Sequence, residues 1–159
     1  STRVGEGPFP SEIDGDIAHR IREKGHEYGT VTKRPRRVGW LDIPQLKYVK
    51  EISGITSIAI MLLDVLSAVE EIKIVTKYYV DDKEIDYVPS TVFELSKVKV
   101  ETITLPSWKE DISNCKSFEE LPINCQKYIE TIEKLLECSI DIISVSPEKD
   151  ATIIRKELF

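Results

Sequence analysis

The sequence predicts an α/β fold with a mainly parallel sheet and a small antiparallel β insertion. Two continuous apolar runs, at residues 56–63 and 140–145, are typical of strands covered on both faces, as in a parallel sheet. Each run follows a segment with helical periodicity, and strand-like segments separated by a polar turn lie between them at residues 72–105. Helices that precede buried strands in this way indicate an α/β architecture.

Length and composition restrict the class of protein. The 159 residues suit one domain, residues 1–159, and the 41% hydrophobic and 31% charged contents are ordinary for a soluble globular protein. The longest apolar run is too short to cross a bilayer. The three cysteines lack a C-x-x-C pair, so we expect reduced thiols in the cytoplasm. Because the chain begins with serine, we expect a processed chain or a piece of a longer one.

The first elements are a loop and two helices. Residues 1–10 are rich in glycine and proline and predict a loop with special backbone positions. Residues 11–24 predict a helix capped by Ser11, and its apolar positions are Ile13, Ile17 and Ile21. Asp42 is a plausible cap for a second helix that ends before Gly54, with apolar positions at Leu46, Val49 and Ile52.

The later elements alternate between strands and a helix. The apolar run that ends at Asp64 predicts the first buried strand, and residues 72–80 and 97–105 predict strands of the β insertion. A possible capping box, Ser117 to Glu120, opens a helix whose apolar face consists of Cys125, Tyr128, Ile129, Ile132, Leu135 and Leu136. The second buried strand, at residues 140–145, and a short strand at residues 151–155 complete the chain.

A basic run stands out in this acidic chain, whose formal net charge is −6. Four cations lie within five positions: Lys33, Arg34, Arg36 and Arg37. A solvated charge run is the usual interpretation, but Pro35 and the flanking glycines and threonines indicate a shaped backbone. A nucleic-acid patch would normally belong to a basic domain with interleaved aromatic residues. A pocket for a small, multiply charged ligand is the third interpretation, because arginine binds carboxylate and phosphate in bidentate fashion.

Two further candidates follow the buried strands. Asp64 ends the first run, and in open α/β sheets ligands bind at the carboxyl ends of strands. Its carboxylate could accept two hydrogen bonds from the N1–H and the 2-amino group of guanine, or it could cap the segment that follows it. Ser144, Val145 and Ser146 close the second run and bring hydroxyls and backbone amides to the same edge.

The order of five motifs resembles adenylosuccinate synthetase, and specifically its C-terminal portion. They are "TRVGEGPFPSEIDG", "HEYGTVTKRPRRVGWLD", "DVL" after a buried strand, "LPSW" and "IDIISVSPEKDATI", which together run from Thr2 to about Ile154. The resemblance implies part of a phosphate-loop NTPase-like fold. It also implies a cytoplasmic, homodimeric ligase that joins IMP and L-aspartate to form adenylosuccinate in AMP biosynthesis, using GTP and Mg²⁺, with no nucleic acid or membrane as partner.

The resemblance also implies roles for individual residues. Val4 and the basic loop would bind aspartate and IMP, the loop through Thr30, Val31, Thr32, Lys33, Arg34, Pro35 and Arg36. Arg36 would also reach GTP, whose guanine would be bound by Leu62, Leu63, Asp64, Ser144, Val145 and Ser146. No catalytic residue and no metal ligand is expected in this segment, because no phosphate-loop motif G-x-x-x-x-G-K is present.

Four departures from the family pattern affect these roles. Val31 and Lys33 replace a threonine and a glycine, Leu62 replaces a lysine, and Ser146 replaces a glycine. We expect the 159 residues to be inactive alone, since the phosphate loop, the catalytic aspartate and histidine and the magnesium ligands of the family precede this portion. The alternative is a non-catalytic nucleotide-binding module that retains only this half.

Overall fold

The computed structural model describes residues 1–156, so the last three positions of the predicted domain lie outside the described residues. The helices are α1 Gly15–Lys24, α2 Ile43–Ser53, α3 Val92–Leu95 and α4 Ile123–Leu136. The strands are β1 Thr2–Arg3, β2 Arg37–Val38, β3 Leu41–Asp42, β4 Ser57–Ile60, β5 Glu71–Val80, β6 Lys83–Ile85, β7 Lys99–Pro106, β8 Ser139–Ser144 and β9 Thr152–Ile154. Short 3-10 turns cover Leu63–Ala68 and Phe118–Glu120. No helix in the described part of the chain is long and apolar enough to cross a membrane.

The strands form three sheets, and the predicted α/β class is confirmed. In the four-stranded sheet, β5 pairs parallel with β3 and antiparallel with β6 and β7, and in the three-stranded sheet β8 pairs parallel with β4 and antiparallel with β9. The strands β1 and β2 form an antiparallel pair. The sheets are therefore mixed rather than mainly parallel. The connections from β5 to β6 and from β8 to β9 are too short for the crossover that a parallel pair requires.

The first helix begins later than the sequence predicts. It starts at Gly15, after Asp14, and Ser11 does not cap it. The preceding residues are extended instead, because the amide of Ile13 donates to the carbonyl of Val38 at 2.9 Å and the amide of Trp40 donates to the carbonyl of Ser11 at 2.9 Å. This pairing with a distant segment overrides the local capping signal.

The second helix begins and ends as predicted. The amide of Gln45 donates to the carboxylate of Asp42 at 3.1 Å, and Gly54 ends the helix with φ +64°. The other carboxylate oxygen of Asp42 accepts a 2.5 Å hydrogen bond from the buried hydroxyl of Tyr78 in β5. Burial raises the pKa of the Asp42 carboxyl, and the hydrogen bond from Tyr78 partly opposes that rise. Asp42 thus ties the start of α2 to the four-stranded sheet.

The two predicted buried strands differ in the structure. The strand β8 is largely buried, with Ile140 and Ile143 fully inaccessible. The strand β4 is only half-buried by the described residues and stops at Ile60, so the prediction that it extends to Asp64 is wrong. The chain bends at Leu62, which has φ +53°, and continues as the 3-10 turn. A left-handed residue cannot continue the extended ladder.

The last helix packs the core as predicted but starts after Pro122. The expected capping box, Ser117 to Glu120, does not cap α4: Ser117 precedes the 3-10 turn Phe118–Glu120, and the N-cap position of α4 is Pro122. The helix buries one face against the sheets, formed by Cys125, Tyr128, Ile129, Ile132 and Leu136. The ring of Tyr128 packs against that of Trp108 with centroids 6.1 Å apart.

Candidate functional site

The basic run lies in a tight hairpin, residues 27–36, which we call the cationic hairpin. Tyr28 and Pro35 form an antiparallel bridge across it. The amide of Gly29 donates to the carbonyl of Arg34 at 2.8 Å, and the amide of Arg36 donates to the carbonyl of Glu27 at 2.9 Å. These bonds hold residues 30–33 at the exposed tip.

Two backbone positions explain why this sequence turns so tightly. Gly29 lies so close to Thr32 that a Cβ there would stand 2.7 Å from the threonine hydroxyl oxygen. Lys33 has φ +54°, in the left-handed region that glycine occupies at low cost. The glycine that the resemblance places at this position in the family fits that backbone without strain, so the lysine adds a charge at a conformational cost.

The four cations of the run differ in how far other residues already engage them. Lys33 and Arg34 are exposed near the tip, and among residues 1–156 no side chain pairs with either of them. Arg36 donates to the carboxylate of Glu27 at 2.8 Å, while its Nε is buried without a partner in the described residues. Arg37 makes four hydrogen bonds, two to the carboxylate of Glu12 and two to the carbonyls of Gly5 and Gly7. The run therefore keeps two free charges, one half-engaged charge and one structural charge.

Val4 lies in the N-terminal loop, residues 4–8, beside the base of the cationic hairpin. Its side chain is 79% exposed. The loop connects β1, which pairs with β2 at the end of the hairpin, to Phe9. Gly5 and Gly7 have φ values of +91° and +104°, which confirms the predicted special backbone positions. The structure thus places Val4 and the cationic hairpin next to the same strand pair.

A cavity of about 300 Å³ lies between the N-terminal segment, the base of the hairpin and the end of β4. Its lining includes Glu27, which holds Arg36, and residues 60–63, which contain Leu62 and Leu63. Arg34 and Arg36 are not part of the lining. Two of the predicted guanine residues therefore share a cavity with the partner of Arg36, whereas the hairpin tip stands outside it.

Asp64 and residues 144–146 lie at one edge of the three-stranded sheet. We call residues 61–64 and 144–146 the sheet edge. The strands β4 and β8 run parallel with Ile60 opposite Ile143, so the chain leaves both strands on the same side. Asp64 is the second residue of the 3-10 turn Leu63–Ala68, whose N-cap position is Leu62. This position differs from the helix cap that the sequence left open.

The Asp64 carboxylate is partly withdrawn from solvent without full compensation. Its Oδ1 is buried and accepts no hydrogen bond from the described residues. Burial raises the pKa of this carboxyl, while nearby backbone amides and the charge of Lys24 act in the opposite direction. A buried carboxylate oxygen without a donor is costly, so this atom is suited to accept a hydrogen bond from a ligand.

At residues 144–146, the other half of the sheet edge, the polar groups hydrogen-bond to nearby residues of the chain. The hydroxyl of Ser144 is buried and donates to the carbonyl of Ser146 at 2.9 Å. The amide of Val145 donates to the carbonyl of Ala151 at 3.0 Å, and the Ser146 hydroxyl accepts from the amide of Glu148 at 3.4 Å. These bonds shape a turn beside Asp64 and leave Ser146 as its accessible hydroxyl.

Glu12 and Glu27, which the sequence analysis did not single out, organise the basic run. Glu27 is nine residues from Arg36, and Glu12 is 25 residues from Arg37. No local pattern pairs residues so far apart. Among residues 1–156, no three histidine, cysteine or carboxylate side chains converge where a metal ion could bind.

The fold and these two regions define an α/β protein that presents free guanidinium and ammonium groups beside a sheet edge with an unpaired carboxylate. Such a protein is suited to an anionic ligand together with a ligand that donates hydrogen bonds. The family model of adenylosuccinate synthetase matches residues 1–153. The chain belongs to the adenylosuccinate synthetase family.

Individual relatives agree with this assignment. The chain is 53% identical over 156 residues to adenylosuccinate synthetase of Malacoplasma penetrans, covering 98% of the chain and 37% of that protein. It is 47% identical over 155 residues to the synthetase of Paramecium tetraurelia, covering 98% of the chain and 36% of that protein. The solved structure of the fully ligated synthetase of Plasmodium falciparum matches with a TM-score of 0.94 at 44% identity, covering 98% of the chain and 38% of that protein. The chain thus spans little more than a third of the length of its relatives.

Proposed function

We propose that this chain is the aspartate- and guanine-binding portion of a GTP-dependent ligase that joins IMP and L-aspartate to form adenylosuccinate. The observation that carries the proposal is the cationic hairpin, which presents unpaired cations in a chain of this family. The sheet edge supplies the second binding element. The proposal extends the family membership from the chain to the activity of a full-length protein, of which the chain would be the C-terminal portion.

The cationic hairpin would bind aspartate. The ligand carries two carboxylates, and each is neutralised best by a guanidinium fork. Arg34 is free to move toward the ligand, and Arg36 has a buried Nε that lacks an acceptor. Thr30, Val31, Thr32, Lys33 and Pro35 form the rest of the exposed turn, whose hydroxyls and ammonium group would complete the contacts. Closure of this turn over the ligand would exclude water and strengthen each ionic contact.

The N-terminal loop would contact IMP. Val4 is exposed beside the strand pair that ends the hairpin, so its backbone is accessible to a ligand that also meets Arg34. A nucleotide in this position would lie between the loop and the hairpin. This placement would bring the purine and the amino group of aspartate together, as the ligation requires.

The sheet edge would bind the guanine of GTP. Asp64 would accept hydrogen bonds from the N1–H and the 2-amino group of the base, which would satisfy its unpaired Oδ1. Leu62 and Leu63 line the neighbouring cavity and would give the base apolar contact. Ser144, Val145 and Ser146 shape the adjoining turn, and Arg36 would reach toward the nucleotide from the hairpin.

The described residues do not fit a Mg²⁺ site, because no group of three suitable ligands converges among them. The proposal instead assigns Mg²⁺ binding, phosphoryl transfer and most IMP phosphate contacts to the family's N-terminal part, within a phosphate-loop NTPase-like fold. It also includes homodimer formation and a cytoplasmic location for the full-length protein.

The test is an activity assay of a full-length protein that carries this segment. We expect adenylosuccinate to form only when IMP, L-aspartate, GTP and Mg²⁺ are all present. Omission of any one of the four is the control. A full-length protein that is folded and binds GTP but forms no adenylosuccinate would contradict the proposed activity and favour a non-catalytic nucleotide-binding protein.

A further inference from the structure

We propose that Arg37 is a positioning residue that, together with Glu12, holds the N-terminal loop against the base of the cationic hairpin and thereby places the IMP-binding loop. The inference rests on the proposed function, since that function gives Val4 its ligand. In this proposal Arg37, the last cation of the basic run, binds other residues of the chain and not an anionic ligand.

The hydrogen bonds of Arg37 leave little for a ligand. Its Nε donates to one carboxylate oxygen of Glu12 at 2.6 Å, and its Nη2 donates to the other at 2.5 Å. Its Nη1 donates to the carbonyls of Gly7 at 2.8 Å and Gly5 at 3.2 Å. Four hydrogen bonds use four of the five N–H donors that a guanidinium group has.

The pairing is well shielded for an ion pair near the surface. The side chains of Arg37 and Glu12 are each 28% exposed, and the Arg37 guanidinium lies 5.5 Å from the centre of the Phe9 ring. The hydrogen bond from Arg37 lowers the pKa of the Glu12 carboxyl, so this carboxylate stays charged at neutral pH. A bidentate pair of this kind fixes orientation as well as charge.

A second arginine holds the same loop. Arg3 donates to the carbonyls of Pro8 and Glu6, so two guanidinium groups gather the carbonyls of residues 5–8. Arg3 and Arg37 are direct partners in the β1–β2 ladder. The loop is therefore braced from the strand pair that ends the hairpin, and a shift of Arg37 would move the loop relative to Arg34.

Arg34 and Arg37 therefore have opposite roles although they lie three positions apart. Arg34 has no side-chain partner among the described residues and remains available to a ligand. Arg37 has four acceptors, of which two are backbone carbonyls of the loop that carries Val4. Lysine cannot replace it, because an ammonium group cannot span a carboxylate and two carbonyls with a planar fork.

The experiment compares Arg37→Ala, Arg37→Lys and Glu12→Gln with the unaltered sequence in a full-length protein that carries this segment. The matched control is Arg20→Ala, which removes an exposed arginine that pairs with Asp16 at 2.7 Å on α1. Steady-state kinetics give KM for IMP and for aspartate separately. Hydrogen exchange of the amides of Glu12, Ile13, Gly39 and Trp40 reports the brace. Glu12 donates within the N-terminal segment, to Phe9, and the other three amides donate between that segment and residues 38–40.

We expect Arg37→Ala and Arg37→Lys to raise KM for IMP about 10- to 100-fold, as loss of positioning does, with a smaller change in KM for aspartate. Exchange of the four amides should become about tenfold faster, while exchange in α4 stays unchanged. Glu12→Gln should produce the same pattern more weakly, and Arg20→Ala should leave both KM values and the exchange unchanged.

Three outcomes would overturn the proposal. If KM for aspartate alone rises, Arg37 contacts that ligand directly. If kcat falls with both KM values unchanged, the residue only maintains the amount of folded enzyme. If the exchange rates do not change, no brace exists. Should the unaltered protein form no adenylosuccinate, the proposed function fails on that result, and the exchange measurement still decides whether Arg37 holds the loop.

Discussion

The cationic hairpin and the sheet edge differ in the solvent exposure and hydrogen bonding of their polar groups. In the hairpin, the charges of Lys33 and Arg34 are exposed to solvent, on a turn held by backbone hydrogen bonds and by the ion pair of Arg36 with Glu27 at its base. At the sheet edge, the Ser144 hydroxyl is buried and satisfied, and Asp64 is half-withdrawn with one oxygen unpaired. Under the proposed function, this difference would give two modes of binding. The hairpin would close onto aspartate, whereas the sheet edge would accept hydrogen bonds from guanine at an oxygen that is already in place.

This comparison has its largest consequence for the 159-residue chain alone. Both regions bind in our proposal, and neither carries out phosphoryl transfer, which depends on positioned groups around the phosphates. We therefore expect no adenylosuccinate from the purified chain with IMP, aspartate, GTP and Mg²⁺, where a full-length protein carrying the segment forms it. Chromatographic detection of the product decides the matter, and GTP-dependent product from the chain alone would refute the division of labour.

The next largest effect is expected at Arg34 in the cationic hairpin. Arg34→Leu in the full-length protein should lower kcat/KM for aspartate by about 30- to 5,000-fold, the range for removing one partner of a desolvated charge pair. Arg20→Leu is the matched control on the surface of α1. A value for Arg34→Leu within about threefold of the parent, well below that range, would show that the exposed charge is only a solvated one.

The same contrast explains what the sequence could predict of the fold. The bounds of α2 follow from adjacent residues, Asp42 at its start and Gly54 at its end, and both predictions are confirmed. The predicted start of α1 is wrong because Ser11 pairs with Trp40, which is far away in the chain. The end of β4 was wrong because the left-handed backbone at Leu62 has no local sequence signal. Local signals placed α2, whereas long-range pairing and the backbone turn at Leu62 could not be predicted from them.

The candidate site follows the same rule. The composition of the basic run located the hairpin, and the apolar run located Asp64, although the sequence also allowed a solvated run and a helix cap. What the sequence could not show is which cations are already used. Glu12 and Glu27 engage Arg37 and Arg36 through tertiary contacts, and no spacing rule connects them. The ligand roles of the individual residues stay predictions.

The third prediction concerns the free energy of unfolding and the buried pair of Asp42 and Tyr78, which ties the start of α2 to the four-stranded sheet. Tyr78→Phe removes the hydroxyl that donates to buried Asp42 and should lower the free energy of unfolding by about 1.5–3 kcal/mol, as for hydrogen bonds to charged groups. The matched control is Tyr79→Phe, whose hydroxyl donates to Glu101 at the surface and should matter little. Denaturant unfolding measures both, and equal effects would contradict a framework role for the buried pair.

The pH dependence of that loss follows from Asp42. Burial raises the pKa of its carboxyl above the unfolded-state value, so the stability it permits is full below the unfolded-state pKa and declines as pH rises through the folded-state pKa. Without the Tyr78 hydroxyl the folded-state pKa rises further. The loss in Tyr78→Phe should therefore be largest at neutral pH and shrink as pH falls through the raised folded-state pKa of Asp42, below which the carboxyl is protonated. A loss that does not vary with pH would show that Asp42 is not its cause.

The smallest expected effect concerns specificity at the preformed sheet edge. Asp64→Asn replaces one acceptor oxygen with an N–H donor, which matches xanthine better than guanine because xanthine has a carbonyl where guanine has its 2-amino group. The ratio of kcat/KM for GTP to that for xanthosine triphosphate should fall by about 5- to 150-fold, the discrimination of one bidentate base contact. Since burial raises the pKa of the Asp64 carboxyl, GTP binding by the parent should weaken on acidification at a higher pH than for an ordinary carboxylate. The asparagine variant should lack that dependence. Asp16→Asn, on the exposed face of α1, is the control and should change neither property. An unchanged ratio in Asp64→Asn would show that the unpaired oxygen serves the turn itself, and the sheet edge would then have no part in reading the base.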